Sequence, residues 1–250
     1  MSSSGGNAGL AVAYSGRRLG IPVTVVVPKS TMKRAIDLIK LEDAEVIITG
    51  DNWTEAHQYT MSLVKNKVAY IHPFDDPNIW EGHASIVDEI SNAGIVPDVV
   101  VLSVGGGGLL CGVVEGLKRN HWEEIPILAV ETWGADSLYT AYLASEHIGI
   151  GKISSIATSL GAKKVAKRAF ELLNEHEIFC HVVTDAEAIN GCCRFLDDHR
   201  TMVEPVCGAS LSAVYNWCDF LKDKHNIVVI VCGGVGVTLR QLEKWEDEII

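Results

Sequence analysis

Short β-branched runs alternate with helical patterns along almost the whole of this 250-residue chain, and that alternation limits the fold more than any other feature. Residues 23–27, 45–49, 68–71, 98–102, 126–131, 179–183 and 227–232 read as strands. Between them, residues 8–19, 54–65, 80–92, 109–117, 136–145, 162–174, 208–221 and 238–246 carry helical spacing. Two further helices are expected, one capped by Ser30 or Thr31 and running to 43, the other capped by Thr184 or Asp185 and running to 199. A strand–helix alternation of this kind predicts parallel sheets covered by helices on both faces. The Pro- and Asp-rich segment 72–77 is either a crossing between domains or a packed loop. Taken as a crossing, it separates a smaller α/β domain, 1–72, from a larger one, 73–250.

In open parallel sheets, ligands bind beyond the carboxyl ends of the strands. Two glycine turns fall at such ends, Gly105-Gly106-Gly107-Gly108 and Gly233-Gly234. The first joins a strand to a helix beginning near Leu109, so several backbone N–H groups can converge on one anion with no Cβ in the way. It lacks the Gly-Lys-Ser/Thr ending of a nucleotide loop and the spacing of a dinucleotide fingerprint. The local pattern therefore offers a monophosphate cradle or a flexible loop.

A net charge of −11 argues against nucleic acid or an anionic membrane as main partner, so phosphate binding must draw on local backbone dipoles. No apolar run approaches the ~20 residues of a membrane span, and Met1-Ser2-Ser3-Ser4-Gly5 is no signal peptide. Seven cysteines, an odd number including adjacent Cys192-Cys193, suit reduced thiols in the cytoplasm.

Three other constellations carry chemistry. Ser2 to Gly9 opens the first helix with hydroxyls, glycine N–H groups and the Asn7 amide, which suits a carboxylate or simply caps the helix. Cys232 ends a buried strand, as a small hydrophobe or as a polar group delivered to a site. Glu131 lies at another strand end, as a helix cap or an oxygen ligand for a cation.

Together, Ser3-Ser4-Gly5-Gly6-Asn7-Ala8-Gly9, the stretch from His72-Pro73-Phe74-Asp75-Asp76-Pro77 to Ile86, Gly105 to Leu109, and Glu204-Pro205-Val206-Cys207-Gly208-Ala209-Ser210-Leu211 resemble L-serine dehydratase/L-threonine deaminase. The resemblance covers nearly the whole chain in order, and the His-Pro-Phe-Asp-Asp-Pro segment and Cys232 favour this branch over cysteine and threonine synthases. It implies two open parallel-sheet α/β domains of the fold type II, tryptophan synthase β-like class, without that fold's N-terminal segment. It also implies pyridoxal 5′-phosphate as cofactor and elimination of the β-hydroxyl of serine or threonine, giving pyruvate or 2-oxobutanoate and ammonia.

The same resemblance assigns residues. Gly105, Gly106, Gly107, Gly108 and Leu109 would hold the cofactor phosphate, Asn7 its 3′-oxygen, and Cys232 would face its pyridine nitrogen. Ser4, Gly5 and Asn7 would receive the substrate carboxylate, with Gly5 standing where the family often has alanine. Glu131, with carbonyls of Gly105, Ala135 and Leu160, resembles the family's monovalent-cation site, expected to take K+. A homodimer is also implied. One residue has no counterpart: the Schiff-base lysine precedes the Ser-x-Gly-Asn loop in the family, and only Met1, Ser2 and Ser3 precede Ser4 here. Lys29 and Lys33 are expected to be solvated charges. The chain is thus expected to have little dehydratase turnover and an apolar surface in want of a partner. The other expectations are a catalytically dead cofactor-binding module that associates with a full-length subunit, and another fold type II enzyme such as a racemase or synthase.

Overall fold

A computed structural model describes residues 1–65 and 68–249. They fall into two compact units, Met1–Asp76 and Pro77–Ile250.

The first unit contains α1 (Asn7–Leu19), β1 (Thr24–Val27), α2 (Lys33–Leu41), β2 (Glu45–Ile48) and α3 (Trp53–Leu63). β1 and β2 pair in parallel, Thr24 opposite Glu45. On the other flank of β1, Ser2 bridges to Val25, its N–H donating to Thr24 O at 3.1 Å and its carbonyl accepting from Val26 at 2.9 Å. The Ser-rich loop thus leaves the sheet at β1 and runs directly into α1. Ala13, Val25, Val27, Ile39 and Ala44 form the core beneath it.

Two local expectations fail in this unit. Residues 68–71 form no regular strand. Ile71 N–H donates to Met1 O at 2.8 Å, the Met1 amine to Ala69 O at 2.6 Å, and Val68 N–H to Lys65 O at 2.9 Å. Neither Ser30 nor Thr31 caps α2; Met32 precedes it without a side-chain bond, because the Thr31 N–H closes a turn onto Pro28 O at 3.0 Å.

The second unit contains α4 (Pro77–Asn92), β3 (Val99–Ser103), α5 (Gly108–Arg119), β4 (Ile127–Thr132), α6 (Ser137–Ala144), α7 (Lys167–Leu172), β5 (Ile178–Val183), α8 (Asp185–His199), α9 (Pro205–Tyr215), β6 (Ile227–Val229) and α10 (Leu239–Ile249). Its parallel sheet has the order β5-β4-β3-β6. Every residue of β3 and β4 is buried, the continuous apolar run that a parallel strand covered on both faces requires. Val99, Val101, Leu128 and Val130 meet Ala188, Ala209 and Ala213 of α8 and α9 in one core.

The chain steps from β3 to β4 to β5 in one direction, and β6 then returns to the opposite side of β3. That reversal is a topological switch point, where the crevice beyond the strand ends accepts ligands. Both glycine turns sit there, one after β3 and one after β6.

The helix expected over 162–174 is shortened to α7 because its first residues are engaged elsewhere. Lys163 O accepts from Ile150 at 2.8 Å, Val165 O meets the His147 ring at 2.9 Å, and Ala166 N–H donates to Gly106 O at 2.9 Å. The helix expected over 208–221 starts earlier, with Pro205 in its first turn, and ends at Tyr215 before a 3-10 turn, Asp219–Leu221. No helix among the described residues is long and apolar enough to cross a membrane.

Candidate active site

The cradle begins with Ser103, whose Oγ donates to Val206 O at 2.6 Å and fixes the end of β3 against α9. Gly107 then turns the chain with φ +86° and ψ 2°, a left-handed conformation that glycine accepts without strain. Space decides as firmly as conformation here: a Cβ on Gly107 would lie 2.5 Å from Ala169 Cβ, and one on Gly105 would lie 3.1 Å from both Leu160 Cα and Ser159 O. Gly106 O is tied to Ala166 N–H, so α7 braces the loop from behind. No side chain caps α5 and no acidic residue occupies its first turn. The opening amides of a twelve-residue helix therefore present their positive end at the switch point.

The second glycine turn packs close by through Glu204 and Ser159. Glu204 is 4% exposed, immediately before α9. Its Oε2 accepts from Ser159 Oγ at 2.9 Å, its Oε1 accepts from Gly236 N–H, and its own N–H donates to Gly233 O at 2.9 Å. A Cβ on Gly234 would strike Glu204 Cδ at 2.3 Å. Ser159 precedes Leu160, the residue against Gly105, so the cradle, Glu204 and the turn after Cys232 form one assembly. Cys232 itself is exposed. Glu204 opened a segment that the resemblance rests on but had no role assigned, and Ser159 gave no sequence signal; their convergence in space marks them.

Glu131, near the end of β4, is 1% exposed. Its two oxygens accept N–H groups from Leu138 at 2.9 Å and Tyr139 at 2.7 Å, so it caps α6 from a neighbouring strand. Burial pushes its carboxyl up to about 8, against the two backbone N–H bonds that favour the charged form; nearby Asp136 pushes it further up. Ala135 and Leu160 share a buried cluster with Ala157, and Leu160 also meets Gly105. Ser137 Oγ, in the first turn of α6, is fully buried without a hydrogen-bond partner. A serine two residues beyond Ala135 was the available signal for it.

In the first unit, Ser4, Gly5 and Asn7 are partly buried in the loop that opens α1. Ser4 Oγ accepts from Gly6 N–H at 3.3 Å. A Cβ on Gly5 would lie 2.7 Å from Thr31 Cγ2, so the Thr31 side chain takes the space an alanine methyl would need. Ser3 is buried, and its hydroxyl meets Tyr70 OH at 2.7 Å, which pins the loop from below.

The family model of the pyridoxal-phosphate dependent enzymes matches residues 1–233. The chain belongs to that family. It is 48% identical over 217 residues to an L-serine dehydratase/L-threonine deaminase of Mus musculus, and 50% identical over 216 residues to a serine dehydratase-like protein of Rattus norvegicus. Each match covers 86% of this chain and 66% of the relative, so the chain spans just under two thirds of the length of these curated proteins. Among solved structures, a fungal L-serine ammonia-lyase from Rhizomucor miehei superposes with a TM-score of 0.91 at 33% identity, over 100% of this chain and 82% of that one. The two α/β units are therefore those of the fold type II class. The cofactor of this family carries a phosphate, and the cradle fits it: a loop closely packed at Gly105 and without room for a Cβ at Gly107, ending in an uncapped, unacidified helix start.

Proposed function

We propose that the chain binds pyridoxal 5′-phosphate and serves the elimination of L-serine and L-threonine to pyruvate or 2-oxobutanoate plus ammonia. The observation that carries this reading is the cradle at the switch point, in a chain matched by the cofactor's family from residue 1 to 233. The bound cofactor supplies an electron sink for the substrate carbon. Backbone N–H groups from Gly105 to Leu109 hold its phosphate. Asn7 bonds its 3′-oxygen, and Ser4, Gly5 and Asn7 receive the substrate carboxylate. Cys232 faces the pyridine nitrogen as a neutral thiol, which leaves that nitrogen less protonated than a carboxylate would and favours loss of a β-hydroxyl over slower alternatives. Glu131, the carbonyls of Gly105, Ala135 and Leu160, and now Ser137 Oγ supply a site for K+. The buried, raised carboxyl and the orphaned hydroxyl both support a bound cation. A cytoplasmic location accords with the seven free thiols, and a homodimer is the assembly that the resemblance implies.

A binding-only role, exerted by association with a full-length subunit, has an observation in its favour. The first two lysines after the carboxylate loop do not replace the family's amine. Lys29 is 66% exposed and paired with Asp51, and Lys33 is 88% exposed and paired with Asp37. Loss of a general base costs about 10²–10⁴-fold in rate, so a polypeptide of these residues alone is expected to turn over slowly. Product analysis with cofactor and L-serine tests both readings. Slow release of pyruvate and ammonia supports elimination, tight cofactor binding without product supports the binding role, and D-serine as sole product rejects elimination in favour of racemisation.

A further inference from the structure

Segment 72–77 carries part of the sequence resemblance, and its first residue belongs to a cluster of rings that reaches the carboxylate loop. His72 Nδ1 accepts N–H groups from Phe74 at 3.2 Å and Asp75 at 2.7 Å, which fixes its ring. That ring stands edge-on to His57 at 5.9 Å and to Tyr70 at 6.1 Å, between centroids. Trp53, at the start of α3, stacks on His57 with centroids 4.9 Å apart and planes within 11°. The cluster therefore holds the orientation of the two rings that carry the next contacts, His57 and Tyr70.

Their polar atoms converge on Ser3. Tyr70 OH lies 2.7 Å from Ser3 Oγ and 2.9 Å from His57 Nδ1, and Ser3 Oγ lies 3.3 Å from the same nitrogen. With Nδ1 as acceptor, Ser3 O–H donates to Tyr70 and Tyr70 O–H donates to His57; in the other tautomer both bonds reverse. Either way Tyr70 donates one bond and accepts the other. Ser3 sits at the joint between sheet and loop. Ser2 before it is paired with β1 through its N–H and carbonyl. Ser4 after it takes the Gly6 N–H on its Oγ, and its carbonyl lies 1.8 Å from where a Cβ on Gly9 would fall. Ser3 is fully buried, so its hydroxyl has no water to replace a lost partner.

We propose that Tyr70 and His57 are positioning residues of the carboxylate loop: through Ser3 they hold the backbone of residues 4–7 in the arrangement that presents its N–H groups to a substrate carboxylate. They act on the loop and not on the reacting atoms. The hold on the loop stands on the contacts within this unit. Its use for a carboxylate rests on the elimination reading above.

The test is amide hydrogen exchange of the purified full chain, read by mass spectrometry on the peptide spanning residues 3–9, with and without L-serine and pyridoxal 5′-phosphate. Tyr70→Phe and Ser3→Ala should each speed exchange of that peptide about two- to tenfold, the worth of one net hydrogen bond. Peptides of β1 and β2 should keep native rates. The double variant should exchange no faster than the faster single, because both break one chain of bonds. Position 57 separates ring contact from hydrogen bonding. His57→Asn keeps a polar partner for Tyr70 and should exchange like the native loop, whereas His57→Phe keeps the stack on Trp53 and should exchange like Tyr70→Phe. Native rates in Tyr70→Phe and Ser3→Ala, additive effects in the double variant, or the reverse order at position 57 overturns the proposal. Ser3→Ala removes a single oxygen and decides the matter even where a ring variant does not fold. Faster exchange in the variants, with no protection of the native loop by L-serine and cofactor, supports the hold on the loop and overturns its use for a carboxylate.

Discussion

Glu131 is held between opposing forces: burial favours its neutral form, and two backbone N–H donors favour its charged one. Burial prevails, and the carboxyl sits at about 8, above the ordinary value of 4.5. In that window the folded chain keeps a proton that the unfolded chain has released. Stability contributed by Glu131 is therefore fully present below about 4.5 and is lost as pH rises towards about 8, by an amount on the order of a few kcal/mol. Glu131→Gln should flatten this part of a Tm-against-pH curve. A cation in the proposed site would bind the ionised form, so K+ should raise Tm more at the upper end of the window than at the lower, in the native chain and not in the variant. Equal K+ effects at both ends would contradict a cation site at Glu131. Whether this residue is cap or ligand was open in the sequence, because the amides it caps lie beyond an intervening turn. Ser137 offered only its spacing from Ala135, since its burial without a partner is visible only once α6 is placed.

Legibility at the level of elements depends on whether the deciding interaction is local. Thr184 and Glu187 form a capping box within four residues, so the start of α8 could be read directly. The true start of α7 could not, because Gly106 O takes the Ala166 N–H from far along the chain. The α4–α5 contact is another tertiary matter. A Cβ on Gly112 would fall 2.4 Å from His83 Cβ and 2.5 Å from Trp80 O, and one on Gly116 would fall 2.7 Å from Ala84 O. The backbones touch because both glycines lie on the same helix face, four residues apart. Gly112→Ala should destabilise the chain by about 1–3 kcal/mol, since overpacking outweighs the gain in helix propensity. A lowered urea midpoint with unchanged slope would verify this, and an unchanged midpoint would mean that α4 yields freely.

For the molecule as a whole, the strand–helix alternation conveyed the class of fold, and the second glycine turn conveyed where the ligand crevice opens. The strand order, and with it the switch point between β3 and β6, came only from the structure. The sheet has edges at β5 and β6, both parallel strands of the kind usually buried. Phe179 on β5 is 40% exposed, and a groove of about 470 Å³ beside it is lined by Phe179, Cys180, His181 and Phe220. Such edges attract another chain, so the purified polypeptide should self-associate, with apparent mass in light scattering rising with concentration. A monodisperse monomer across that range would contradict this.

The central claim is that Gly105–Gly108 is a phosphate cradle, and Gly107 is its most demanding position, left-handed at φ +86° with Ala169 Cβ in the place of any side chain. Titration of the purified chain with pyridoxal 5′-phosphate, followed by ³¹P NMR, reads the phosphate directly. The native chain should bind, shifting and broadening the signal. Gly107→Ala should weaken binding at least about tenfold, the loss of roughly 1.4 kcal/mol, while retaining the native circular dichroism. Equal binding by the native chain and a folded Gly107→Ala variant, or no binding by the native chain, would contradict the account.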